Sequence, residues 1–384
     1  MEYSHVKKTT FYSFIVLCAL LTIASCTGNG VRQAGGRGDT IHFKYAENIE
    51  MVRYEHHTVV KLKNPWRKGT ILHTYILTDS DHGKDIKEGA TTVRIPLKRS
   101  VVFNTAHASL LCMLGEGNRI KGACDLKYMN IPEIHCRLLS SAGSEPSLID
   151  CGNSMSPDIE TIIDLDADGI LLSPFENSGG YGKVEELGIP IIECADYMET
   201  SALGRAEWMR FYGILYGCEA KADSLFNVVE QSYLQLKEKA RQSQVSRSII
   251  TERMTGNTWY VAGGRSSVGK LIADANGKYA WADDTHSGSL ALPFEMVLDK
   301  AGDADVWIFN DGSPAPMTYT RLSSEFHGYT SMKAFRDRHV YVVRSMETPY
   351  FEEVSFRPDW LLRDYIILLH PDIDLGELKY FKPI

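Results

Sequence analysis

The clearest periodicity in the chain lies in residues 219–244. Ala222, Leu225, Phe226, Val229, Tyr233 and Leu236 recur every three or four positions, uninterrupted by Gly or Pro, which predicts one amphipathic helix. At 1.5 Å per residue it runs roughly 35–40 Å, about the width of a small domain. A helix of that length crosses a lobe or joins two. The flanking sequence favours joining, because each side carries a version of one pattern. The first is Pro157-Asp-Ile-Glu160, an amphipathic stretch, then Ala167-Asp168 and the apolar residues 170–172. The second is Pro293-Phe-Glu295, again amphipathic, then Ala304-Asp305 and the apolar residues 306–309. A short unbroken apolar run reads as a buried strand of a parallel sheet. Helix then strand, once in each half, predicts two α/β lobes.

Residues 39–78 alternate apolar and polar positions, which predicts strands with a turn at Asn64-Pro65-Trp66. His56 and His57 fall on that alternation and so are expected on opposite faces of one strand. Residues 96–103 read as a strand and 106–114 as a helix stopped by Gly115. Residues 187–192 read as a buried strand, and 206–216 as a helix that Gly217 separates from the long one. In the second half, 247–251, 258–262 and 339–343 read as strands, and 270–275 and 360–369 as helices. The resulting organisation is a leader (1–25), a tether (26–40), a first lobe (41–203), a helical segment (204–244) and a second lobe (245–384).

The 384 residues, 44% hydrophobic and 23% charged, suit a globular chain of two such lobes. The net charge of -8 argues against a nucleic-acid partner. Lys7 and Lys8 precede an apolar run at 11–23, too short to span a bilayer with ease and suited to a signal-peptide core. The run ends Ile23-Ala24-Ser25-Cys26, which resembles the lipobox of bacterial lipoproteins. That resemblance implies cleavage before Cys26, acylation of its thiol, and an exported, periplasmic protein held to the membrane by lipid alone. Residues 27–39 are Gly-rich and polar, as a flexible tether requires.

Beyond Cys18 and Cys26 there remain Cys112, Cys124, Cys136, Cys151, Cys194 and Cys218. An oxidising compartment permits disulfides among them, and spacing alone does not choose a pairing. The absence of a CxxC pair argues against zinc. Gly264 to Lys270 approaches a phosphate loop, but the position after Lys270 is Leu271, where Ser or Thr would hold magnesium. Asp164, Asp166 and Asp168 imitate the opening of a calcium loop, yet its twelfth position is Phe175 instead of Glu. No His pair at helical spacing and no nucleophile signature is present, so neither a metal cofactor nor catalysis is expected.

Four stretches then combine in order. RIPLKRSVVFNTAHASLLCMLGEGNRIKG (94–122), IETIIDLDADGILL (159–172), LGIPII (187–192) and RPDWLLRDYIILLHPDI (357–373) resemble segments of the periplasmic substrate-binding proteins of iron–siderophore and cobalamin ABC importers. Asp-Ala-Asp stands where that family has Lys-Pro-Asp, and residues 39–90 and 124–151 depart from its common pattern. The resemblance implies two Rossmann-like lobes joined by a single long rigid helix, with a largely pre-formed ligand cleft between them. It implies a monomer that needs no cofactor and binds a metal chelate. A ferric siderophore comes first and cobalamin or haem next; a bare metal ion, or hydrolysis on a similar frame, is the alternative. It further implies a partner permease dimer with its ATPase. Cleft-wall candidates follow strand patterns: Phe103, Asn104, Thr105 and Phe175 in the first lobe, and Arg253, Tyr260, Arg265, Trp281 and Asn310 in the second. Glu160 and Glu295 match the surface carboxylates, one per lobe, with which the family meets its permease.

Overall fold

A computed structural model describes residues 38–80, 89–138, 147–176 and 180–384. The expected signal segment, Cys26 and nearly all of the tether lie outside them. No described helix is long and apolar enough to cross a membrane.

The long helix is Glu219–Gln242, and it buries Ala222, Phe226, Val229, Tyr233 and Ala240, one stripe of the predicted period. It packs against the helix Met209–Tyr216 and against the last helix, Pro358–Leu369. Its two ends are tied to different halves of the chain. Near its start, Lys221 Nζ donates to Leu114 O at 3.2 Å. Towards its end, the Tyr233 hydroxyl donates to Asp274 at 2.9 Å and Lys237 Nζ to the same carboxylate at 2.5 Å. The stretch before it breaks into Ala202–Glu207 and Met209–Tyr216 instead of forming one helix. Trp208 sits at the break and donates its Nε1 to the buried Glu199 at 2.9 Å.

The first lobe holds a parallel five-stranded sheet in the order Ile191–Glu193, Gly169–Leu172, Ser100–Val102, Ile120–Ala123, Ile149–Asp150. The second has Lys278–Tyr279, Ser248–Thr251, Val306–Asp311 and Val340–Arg344 in parallel, closed by the antiparallel Phe381–Pro383. The repeated pattern acquires a physical meaning here. Asp168 accepts the backbone amides of Lys98 (2.6 Å) and Arg99 (3.0 Å), just before the strand Ser100–Val102. Asp305 accepts the amide and hydroxyl of Ser248, both at 2.8 Å, at the start of the strand Ser248–Thr251. In each lobe the Asp opens one strand and pins the start of its parallel neighbour, so the two halves are built alike.

Burial pushes the Asp305 carboxyl up, but the Lys333 ammonium and the two Ser248 donors outweigh it and hold it at about 2. Its ordinary value is about 3.9. A depressed carboxyl stabilises the fold above the unfolded value and loses that contribution as pH falls towards the folded one. Melting followed by circular dichroism should therefore drop more steeply between about pH 5 and pH 2 in the natural chain than in Asp305→Asn. The carboxylate is partly exposed, so the difference should be small.

Five strands form a separate sheet in sequence order, Asp39–Ile41, Ile49–Arg53, Thr58–Lys63, Ile71–Thr78, Thr91–Arg94. Its third strand alternates buried and half-buried residues throughout, the half-buried pattern read from the sequence. The expectation for the adjacent histidines was wrong. Residues 54–57 turn between two strands, closed by Tyr54 N donating to His57 O at 2.8 Å, with the two rings stacked 4.8 Å apart.

Candidate ligand-binding cleft

In α/β sheets ligands collect outside the carboxyl ends of the strands. After Ser100–Val102 the chain passes through Phe103 and Asn104 directly into the helix Thr105–Met113. Asn104 caps that helix, its side chain accepting the Ala106 amide at 2.8 Å, as a residue of that type does. After Ile120–Ala123 comes Asp125 in a left-handed conformation (φ 55°), then the turn Leu126–Tyr128. From the second lobe, the segment after Val340–Arg344 carries a short helix, Tyr350–Glu353, which packs onto Thr105–Met113.

Between these pieces lies a cavity of about 350 Å³ lined by Phe103, Asn104, Thr105, Asp125, Tyr128, Met129 and Arg205 from the first half and by Phe351, Val354 and Ser355 from the second. Tyr128 and Phe351 are each about half exposed (55% and 50%), so each half of the chain offers an aromatic ring that a planar or bulky ligand would cover.

Arg205 is held from behind. Its Nε donates to Asp196 Oδ2 at 3.3 Å. Asp196 is fully buried, with His107 Nε2 at 2.8 Å and the Tyr212 hydroxyl at 3.2 Å from its other oxygen. Burial alone would raise the Asp196 carboxyl; His107 first, then Arg205 and Tyr212, overcome that and hold it below its usual value. A buried anion thus orients a guanidinium whose remaining donors suit an anionic group in the cavity.

The two halves are clasped beside the cavity by Glu352, which is 2% exposed. Its Oε1 accepts the Thr105 hydroxyl at 3.0 Å and the Asn130 amide at 2.9 Å. Removing it leaves both half-buried donors without this acceptor, so Glu352→Ala should lower unfolding free energy by about 1–3 kcal/mol, read from denaturant melts.

Of the expected wall residues, Phe103, Asn104 and Thr105 line this cavity. The other six wall candidates lie outside this cavity. Phe175, Tyr260 and Arg265 are solvent-exposed. Trp281 is buried (5% exposed), its ring 5.6 Å from that of Tyr279 and covered by Lys300. Arg253 is engaged by Asp311 at 3.0 Å and by Glu325, and lies over the ring of Phe309. Asn310 lies within the strand Val306–Asp311, its Oδ1 buried without a partner among the described residues. The second-half wall comes instead from residues 351–355, after a strand whose carboxyl end sequence reasoning had left out. Tyr128, Arg205, Phe351 and Glu352 were missed in the same way. An aromatic residue soon after a strand pattern was the available signal for Tyr128 and Phe351.

Glu160 and Glu295 are exposed, each in the first turn of the helix preceding a repeated strand. The Gly-rich turn at 263–269 is closed by packing. A Cβ at Gly263 would stand 2.4 Å from His286 O, and one at Gly264 2.4 Å from Ala282 O. The glycines thus admit backbone, and Ser266, rather than a phosphate, caps the following helix. Among the described residues no group of three or more His, Cys, Asp or Glu converges as a metal site.

The sequence profile of the periplasmic binding protein family matches residues 108–346. The chain belongs to this family. Its members are substrate-binding proteins, and their two-lobed fold is the one seen here. An uncharacterized lipoprotein of Methanocaldococcus jannaschii is 23% identical over 356 residues, covering 88% of this chain and 84% of that protein. A periplasmic haem-binding protein from Pseudomonas aeruginosa superposes with a TM-score of 0.57 at 14% identity, covering 75% of this chain and 98% of the other. The structure of an ABC-type Fe3+-hydroxamate transport system from Saccharomonospora viridis does so with a TM-score of 0.52 at 18% identity, covering 70% and 93%.

Proposed function

We propose that this periplasmic binding protein captures a metal chelate and passes it to an ABC permease dimer driven by its ATPase. The observation that carries the reading is the cavity at the strand ends, where Arg205, set by buried Asp196, stands among Phe103, Tyr128 and Phe351. Aromatic faces cover the body of a chelate, and a guanidinium pairs with its anionic groups. A ferric siderophore fits that combination first, with haem and cobalamin next. One of the two superposed structures is of a haem-binding protein and the other of an Fe3+-hydroxamate transport system, which supports the class of ligand.

The protein works as a monomer, tethered through a lipid on Cys26, and carries out no chemistry on its cargo. Glu160 and Glu295 dock it to the permease, one contact from each half. Deleting the protein should abolish growth on the matching ferric siderophore as sole iron source, and restoring it should rescue growth. Undiminished growth on every chelate tried would contradict the reading.

A further inference from the structure

Cys124 and Cys151 are placed to meet. The strand Ile120–Ala123 runs parallel to Ile149–Asp150 with Ala123 opposite Asp150, so the next pair in register is Cys124 and Cys151. The ladder carries on past them, with Cys151 N donating to Ala123 O at 2.9 Å and Asp125 N to Gly152 O at 2.7 Å. Both side chains lie on one face, since both join the small core of Val101, Ile162 and Ile170. Cys124 Sγ donates to Cys151 O at 3.7 Å. Neighbouring strands run about 4.8 Å apart, within the Cα separation of about 4.4–6.8 Å that a disulfide spans. Gly122 belongs to the same arrangement. A Cβ there would stand 2.5 Å from Cys151 Sγ, so the glycine leaves the sulfur its space. The other described thiols have different company: Cys112 lies by Glu133, Cys194 by Asp196 and Tyr212, Cys218 by Glu116, and Cys136 is exposed.

We propose that Cys124 and Cys151 are joined by a disulfide in the exported protein, and that this bond braces one wall of the ligand cavity. The bond's presence in cells rests on the export reading above. Ile149–Asp150 is a two-residue edge strand, which its ladder alone holds weakly. Asp125, a cavity residue, follows Cys124 directly and accepts the Ser154 amide and the Asn153 side chain, both at 3.2 Å. A bond between residues 27 apart would fasten Asp125 and the turn to Tyr128 against that segment.

The oxidant is a small disulfide such as oxidised glutathione. The Cys124 thiolate attacks it, forming a mixed disulfide and releasing one glutathione thiolate. The Cys151 thiolate then attacks Cys124 Sγ and expels the second. Two protein thiols and one glutathione disulfide become one protein disulfide and two glutathione thiols. Burial raises both cysteine thiols, Cys151 to about 12, so thiolate is scarce in the folded state. The exchange therefore belongs to the folding chain.

The full chain, reduced and unfolded in guanidinium, is refolded in a mixture of reduced and oxidised glutathione. Free thiols are then alkylated without reduction and the peptides mapped. We expect one linked peptide pair joining Cys124 to Cys151, about 2 Da lighter than the two thiol peptides together, with Cys112, Cys136, Cys194 and Cys218 alkylated. Adding dithiothreitol should lower Tm by about 5 °C or more and leave Tm of Cys124→Ala/Cys151→Ala unmoved. Alkylation of both cysteines, or their pairing elsewhere, overturns the proposal. A bond that forms on refolding while protein taken from cells under acid trapping has both thiols free would overturn the exported bond and, with it, the export reading, while the geometric pairing stands.

Discussion

Replacing Glu160 and Glu295 together by Ala should leave ligand binding unchanged and cut uptake through the permease by about 10-fold or more. Each carboxylate is exposed and sits in the first turn of its helix. The two helices occupy equivalent places, because the Asp that follows each one pins the strand beside it in the same way. Two like charges on matching surfaces of the two halves suit a permease dimer with two basic sites, and they set orientation as well as encounter rate. The competing role for each Glu is to favour its helix N-terminus through the helix dipole, an effect of about 0.3–1 kcal/mol. Loss of that effect would lower Tm slightly and leave transport intact. Uptake of labelled chelate by cells carrying the single and double variants, with ligand affinity measured on the same proteins, separates the two roles. Normal uptake in the double variant would remove the docking role.

The second large effect is expected at Arg205. A charge-assisted hydrogen bond to an anionic ligand is worth about 1.5–3 kcal/mol, so Arg205→Gln should weaken chelate binding about 10–100-fold. Arg205→Lys should recover only part of this, since an ammonium lacks the planar fork. Asp196 would keep His107 and Tyr212 as partners, so the fold should survive both changes, as checked by circular dichroism. Calorimetric titration showing equal affinity for the three proteins would place the ligand elsewhere.

Much of the fold could be read from the sequence because its strongest signals are local. The long helix shows in the spacing of six apolar residues. The two lobes show in a repeat whose Asp residues each fix a strand start. The lining of the cavity was legible on one side only. Phe103, Asn104 and Thr105 follow a strand and cap a helix, so their place is set within a few residues. Trp281 looked like a cleft ring, but a large apolar side chain carries no sign of whether it faces a ligand or a core, and here Tyr279 and Lys300 cover it. Arg253 promised a free cation, yet Asp311 and Glu325, far along the chain, engage it. The converse holds for Arg205 and Glu352. Glu352 meets Thr105 and Asn130 only through the packing of the helices Tyr350–Glu353 and Thr105–Met113, and although Asp196 lies only nine residues before Arg205, no local pattern records that the pair stands beside a cavity.

Binding of a metal chelate in the cavity at Arg205 is open to direct test. The most direct measurement is Trp fluorescence of the chain during titration with ferric catecholate and hydroxamate siderophores, haemin and cyanocobalamin. Trp208 lies three residues beyond Arg205 and is fully buried, so a coloured ligand there should quench it. Saturable quenching by one ligand class is expected at micromolar concentration or below, shifted to about 10–100-fold higher concentration in Arg205→Gln. A folded protein that none of these ligands quenches saturably, or quenching that Arg205→Gln leaves unmoved, would contradict it.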